Sequence, residues 1–146
     1  MNALKNKILN NLTTKMFQYN RNYFILTILL FLTEIAIAMY VHDDFIRPYF
    51  GDFLVVILLY CFLKSFVKVS VLVAASVVLV FSFGIEIAQY FNMVEKLGLQ
   101  HSKIARVVLG NSFAWMDLLA YVLGILTVIG IEIFRLKRNN KIHKLL

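Results

Sequence analysis

Residues 53–91 read FLVVILLYCFLKSFVKVSVLVAASVVLVFSFGIEIAQYF, a run of 39 positions whose only charged residues are Lys64, Lys68 and Glu86. As one helix it would extend about 58 Å at 1.5 Å per residue, nearly twice the ~30 Å hydrocarbon core of a bilayer. It must therefore double back. Lys64, Ser65, Lys68 and Ser70 mark the place, with one span expected over residues 53–67 and the next over 71–91. The two lysines reach the surface by laying their stems along the apolar helix.

Working outward, residues 22–41 form a further apolar run of about 30 Å that contains one acid, Glu34. The stretch between, residues 42–52, reads HDDFIRPYFGD and is expected to be a short polar connection turned by Pro48 and Gly51. Downstream, residues 92–113 are the longest polar connection. Ile104, Val107 and Val108 around Arg106 predict a turn or two of interfacial helix, stopped by Gly110. Residues 114–134 then make a fourth span. Before the first span, residues 1–21 carry Lys5, Lys7, Lys15 and Arg21 without an acid, and Leu4, Ile8, Leu12 and Met16 recur every four positions. That pattern predicts a basic amphipathic helix on an anionic leaflet. Residues 135–146 form a basic tail. The expected fold is all-α, an integral membrane four-helix bundle with a short interfacial helix between spans three and four.

Composition agrees. Hydrophobic residues make up 61% of the chain and charged residues 16%, against about 25% charged in a soluble domain, which excludes a soluble enzyme or a disordered tail. Long apolar runs instead of alternation exclude a porin-type barrel. The net charge of +7 does not point to nucleic acid, because the basic residues flank the apolar runs, where they set topology. On the expected spans, eleven of the fifteen Lys and Arg fall on one side, and Arg47, Lys96, Lys103 and Arg106 on the other. The positive-inside rule then predicts a multi-pass membrane protein with both termini cytoplasmic. Cys61 is the one cysteine and is expected to behave as a small hydrophobe. His42, His101 and His143 lie on different elements, so neither a metal site nor a cofactor is expected.

The acids are the informative residues. Glu34, Asp52, Glu86 and Asp117 all fall in the outer half of the expected bundle, and Arg47 and Arg106 lie in the outer loops. An ionised carboxylate facing lipid is costly, by up to about 3 kcal/mol on insertion scales, so these groups are expected to face the interior. Ser82, Glu86 and Gln89 share one face of the third span. Asp117, Ala120, Tyr121, Gly124 and Thr127 make a stripe of small and polar residues on the fourth, expected to face it. Glu132 and Arg135 form an i,i+3 pair at the cytoplasmic end, read as structural.

Three groups of residues carry a resemblance. Arg47-Pro48-x-x-Gly51-Asp52, Glu86-x-x-Gln89, and Leu109-Gly110-x-x-Phe113-x-x-x-Asp117-Leu118-Leu119-Ala120-Tyr121-x-x-Gly124 resemble the bacterial membrane-protein family known as domain of unknown function 2809, over about residues 22–134. More distantly, the order Glu86-x-x-Gln89, Arg106, Asp117, Gly124 is similar to the VanZ-like membrane proteins, although Tyr121 stands where those tend to have Asn. That likeness implies a shared architecture and an association with the cell envelope, the VanZ-like group being linked to teicoplanin resistance. It supplies no reaction.

Three functions compete. In the first, Arg47, Asp52, Glu86, Gln89, Arg106 and Asp117 line a pocket that is open to the outer face of the lipid bilayer and engages an envelope component such as a lipid headgroup or lipid-linked precursor. In the second, Glu34 carries protons in a small transporter that works as a homo-oligomer. In the third, Glu86 and Asp117 act as acid and base of a membrane enzyme. A structural network of Arg106 with Glu86 and Asp117 is the alternative to all three.

Overall fold

The computed structural model describes residues 17–41, 46–91, 96, 98, 101 and 114–142. Within them lie four helices: α1 (Arg21–Tyr40), α2 (Ile46–Phe66), α3 (Val71–Tyr90) and α4 (Trp115–Ile142). All four are long and apolar enough to cross a membrane, and among the described residues β structure is limited to one isolated bridge, Phe17 to Val67. The fold is an all-α four-helix membrane bundle.

The helices alternate in direction. Asn20 opens α1, its side chain accepting from the Asn22 N–H at 3.1 Å, while its own N–H donates to the Ser65 carbonyl at the far end of α2. The reversal between α2 and α3 uses neither Gly nor Pro. Lys64 Nζ bends over to donate to the Val69 carbonyl at 2.7 Å, and Ser70 caps α3 by accepting from the Val73 N–H at 3.3 Å. One end of the bundle thus gathers Arg21, Lys64, Lys68, Arg135, Lys137 and Arg138. The acids Glu34, Asp52, Glu86 and Asp117 lie toward the other. These are the basic and the acidic ends below.

Three differences from the sequence reading have physical causes. Helix α2 starts at Ile46, not at residue 53. Pro48 lies in its first turn, where the missing N–H would have had no helical partner. Residues 17–20 are not helical. They run extended along the α2–α3 turn, with the Gln18 N–H donating to the Phe66 carbonyl at 3.0 Å. Helix α4 continues through the basic stretch to Ile142, since Arg and Lys are good helix formers. The expected amphipathic helix before residue 17 and the interfacial helix around Arg106 lie outside the described residues.

The core is built by α2, α3 and α4, from Val56, Tyr60, Cys61, Ala74, Ala75, Val78, Tyr121, Ile125 and Val128. Gly124 sets the α2–α4 spacing. A β-carbon there would stand 2.3 Å from Val56 Cγ2 and 2.7 Å from the Phe53 carbonyl oxygen, so at Gly124 the small-residue stripe of α4 closes on α2, while Tyr121 of the same stripe reaches Glu86 of α3 and Thr127 is exposed. Helix α1 packs along α2, reaches α4 through the Tyr23 side chain, and buries one residue, Thr27, whose hydroxyl lies 3.5 Å from that of Ser65.

Candidate functional site

Helices α2 and α4 run parallel from the acidic end, and α3 arrives there antiparallel. The first turns of α2 and α4 and the last turn of α3 are thereby brought to one level. Asp52 comes from α2, Glu86 from α3, and Asp117 and Tyr121 from α4, one turn apart. Asp117 sits in the first turn of α4, where the exposed N–H groups favour a carboxylate.

Tyr121 joins the cluster. Its hydroxyl donates to Glu86 Oε1 at 2.8 Å and lies 3.4 Å from Asp52 Oδ1. A phenol has one proton to give, so the shorter contact is the hydrogen bond and Asp52 is held beside it. Asp52 and Asp117 are close neighbours, and Asp117 also interacts electrostatically with Glu86. Glu86 is 1% exposed and Tyr121 6%. The second carboxyl oxygen of Glu86, Oε2, is buried and has no hydrogen-bond partner among the described residues; the hydroxyl of Ser82, one turn along α3, is in the same condition. Buried polar atoms of native proteins are nearly always paired, so two adjacent exceptions call for an explanation.

The cations are elsewhere. Among the described residues the ion pair is Arg135 to Glu132, 3.7 Å apart at the basic end. Lys96 lies 5.7 Å from the Phe91 ring centroid without pairing to the cluster. The side chains of Arg47 and Arg106, expected at this site, lie outside the described residues, and with them the Arg106 network.

The structure brings together three of the expected site residues, Asp52, Glu86 and Asp117, and leaves two others apart. Gln89 is half-buried and makes no side-chain hydrogen bond among the described residues. Glu34 stands on the other side of α2, its Oε2 3.6 Å from where a Gly51 β-carbon would be, with Oε1 buried and unpartnered. Tyr121 was not expected as a site residue. Its spacing of four from Asp117 put it on the right face, but spacing alone does not say where a phenol points.

A second polar cluster occupies the basic end. Tyr23 of α1 donates its hydroxyl to Glu132 Oε1. The Arg135 guanidinium and Lys64 Nζ each lie 5.7 Å from the Tyr23 ring centroid, and Tyr60 packs edge-on against that ring. Among the described residues no group of His, Cys, Asp and Glu is arranged to hold a metal ion.

The model of a protein family described as protein of unknown function (DUF2809) matches residues 41–125. This is more than half of the chain, which therefore belongs to that family. The matched segment contains Asp52, Glu86, Asp117 and Tyr121, while Glu34, Tyr23 and Glu132 lie outside it. No curated protein and no solved structure matches the chain.

Proposed function

We propose that this member of the DUF2809 family is a plasma-membrane binding protein whose acidic end faces out of the cell and engages an envelope component. The recognised group would be cationic or rich in hydroxyls, as in a lipid headgroup or a lipid-linked precursor. The observation that carries this reading is the buried Glu86 Oε2 without a partner, inside a cluster of three carboxyl groups. Such a cluster repels itself and accepts hydrogen bonds far better than it donates them. What Glu86 Oε2 lacks among the described residues is a donor, and a ligand can bring one. The orientation rests on charge, since Lys and Arg gather at the other end.

The test is the thermal stability in detergent of Glu86→Gln and Asp117→Asn, singly and together. If the site is kept for binding, each variant melts at or above wild type, because an amide relieves the repulsion. Variants that melt well below wild type, with strong coupling in the double mutant, would make the cluster a structural network and overturn the reading.

The transport reading retains one supporting feature, the buried and unpartnered Oε1 of Glu34. It predicts that Glu34→Gln abolishes proton-coupled uptake in vesicles. The enzyme reading would divide acid and base between Glu86 and Asp117.

A further inference from the structure

A hollow of about 390 Å³ opens between α3 and α4 at the acidic end. Phe83, Tyr90, Trp115 and Leu118 form its walls, and Glu86 is the acid among its described lining residues. The walls reach the outside of the bundle, Tyr90 being 65% and Trp115 77% exposed. The hollow therefore opens sideways, onto the surface that the bilayer covers, at the level where aromatic rings meet the headgroups. A second, smaller hollow of about 210 Å³ lies along the same α3–α4 seam toward the middle of the bundle, between Leu72, Leu79, Ile125 and Ile129. On α3 the two hollows fall on one stripe, Leu72, Ala75, Leu79, Phe83, Glu86 and Tyr90, at the spacings of a single helix face.

We propose that this seam seats an amine-headed phospholipid, its ammonium on Glu86 and an acyl chain along the α3–α4 stripe toward Ile129. The inference deepens the binding function proposed above and rests on it. Charge complementarity selects the occupant. Glu86 lines the hollow and carries a buried carboxyl oxygen without a hydrogen-bond partner among the described residues, with the carboxyl groups of Asp52 and Asp117 near it. A primary ammonium supplies three N–H donors and a positive charge, whereas a quaternary ammonium has none to give and an anionic headgroup is repelled. The phosphate of the same lipid would remain at the mouth, where Lys96 lies over the Phe91 ring.

Trp115 lines the hollow and is the single tryptophan of the chain, so its fluorescence reports on lipid at this site. The experiment places the full chain in vesicles of unlabelled phosphatidylcholine containing phospholipids brominated on the acyl chains. These carry ethanolamine, choline or glycerol heads, or are the head-free brominated diacylglycerol. The ethanolamine lipid is expected to quench Trp115 at about one tenth of the choline lipid's mole fraction, the advantage a single charge-assisted hydrogen bond gives. Glu86→Gln should remove that preference. Leu118→Phe, which narrows the hollow and keeps the acid, should remove it too.

Equal quenching by all headgroups, or a preference that survives Glu86→Gln in a protein that still melts cooperatively, would overturn the proposal. So would a preference for the glycerol head. A Glu86-dependent preference for brominated diacylglycerol would overturn the amine while leaving the cluster a binding site. The thermal stability of Glu86→Gln and Asp117→Asn decides that parent reading on its own.

Discussion

Each end of the bundle holds a buried glutamate that accepts a hydrogen bond from a tyrosine of another helix, and the two are surrounded in opposite ways. Glu132 takes the Tyr23 hydroxyl and has Arg135 at 3.7 Å. Glu86 takes the Tyr121 hydroxyl and has Asp52 and Asp117 for neighbours. Among the described residues the buried atom left unpartnered at the basic end is the neutral hydroxyl of Tyr60, whereas toward the acidic end carboxyl oxygens of Glu86 and Glu34 and the hydroxyl of Ser82 are unpartnered. Burial of a charge is tolerated when it is paired. The basic end meets that condition from within the chain and ties α1 and α4 together. The acidic end does not meet it among the described residues, and the proposed binding function rests on that difference.

The strongest way to break the comparison is to disturb both ends through the element they share. Gly124 lies between Tyr121 and Glu132 on α4, where the helix touches Val56 and the Phe53 carbonyl. Gly124→Val must push α2 away, because one of the atoms in the way is backbone. A loss of about 3 kcal/mol is expected, at the upper end for overpacked sites, read as a lowered melting point in detergent. A smaller loss would mean that the α2–α4 contact is soft and that the ends are set independently.

The ends can next be separated by one substitution made twice. Glu132→Gln weakens the bond from Tyr23 and removes the partner of Arg135. Hydrogen bonds to charged groups are worth about 1.5–3 kcal/mol, and Arg135 is half exposed, which discounts the ion pair. About 2 kcal/mol should therefore be lost. Glu86→Gln, with the same change of shape, should lose nothing. Equal losses in chemical unfolding of the two variants would erase the distinction between a closed structural pair and an open site.

Tyr121→Phe sharpens the acidic end by itself. It removes the one donor that reaches Glu86 and leaves a second carboxyl oxygen unpaired. About 1 kcal/mol is the expected loss, that of one ordinary hydrogen bond, measured by thermal unfolding. A gain would show that the hydroxyl holds two carboxyl groups closer than they would otherwise sit.

Much of this was legible in the sequence and some of it was not, for a reason that belongs to membranes. Spans follow from apolar length, so the four helices could be read from runs such as residues 53–91. The gathering of acids at one end followed from their positions along those runs. Neighbour choice did not follow. A soluble helix announces its core face by a polar opposite face, whereas a spanning helix is apolar all round. Hence nothing in residues 22–41 said that α1 would bury Thr27 alone, and nothing in the stripe of α4, which meets α3 through Tyr121 and Glu86, said that it would close on α2 at Gly124. Tyr121 was hidden by the same ambiguity, since its role depends on which helices converge on its hydroxyl.

The smallest expected effect concerns Glu34, the acid that the structure leaves outside the cluster. Its Oε2 would lie 3.6 Å from a β-carbon at Gly51, an ordinary van der Waals contact. Gly51 is inside α2, where glycine is less favourable than alanine by roughly 0.5–1 kcal/mol. Gly51→Ala should therefore stabilise the protein by about 0.5 kcal/mol, seen as a small rise in melting temperature, and should leave the quenching of Trp115 by lipids untouched. Asp52 is the next residue, but consecutive positions on a helix point about 100° apart, so a methyl group facing Glu34 does not reach Tyr121. If Gly51→Ala instead alters lipid quenching, Glu34 and the cluster communicate through the first turns of α2, and the acidic end holds four coupled carboxyl groups instead of three with one apart.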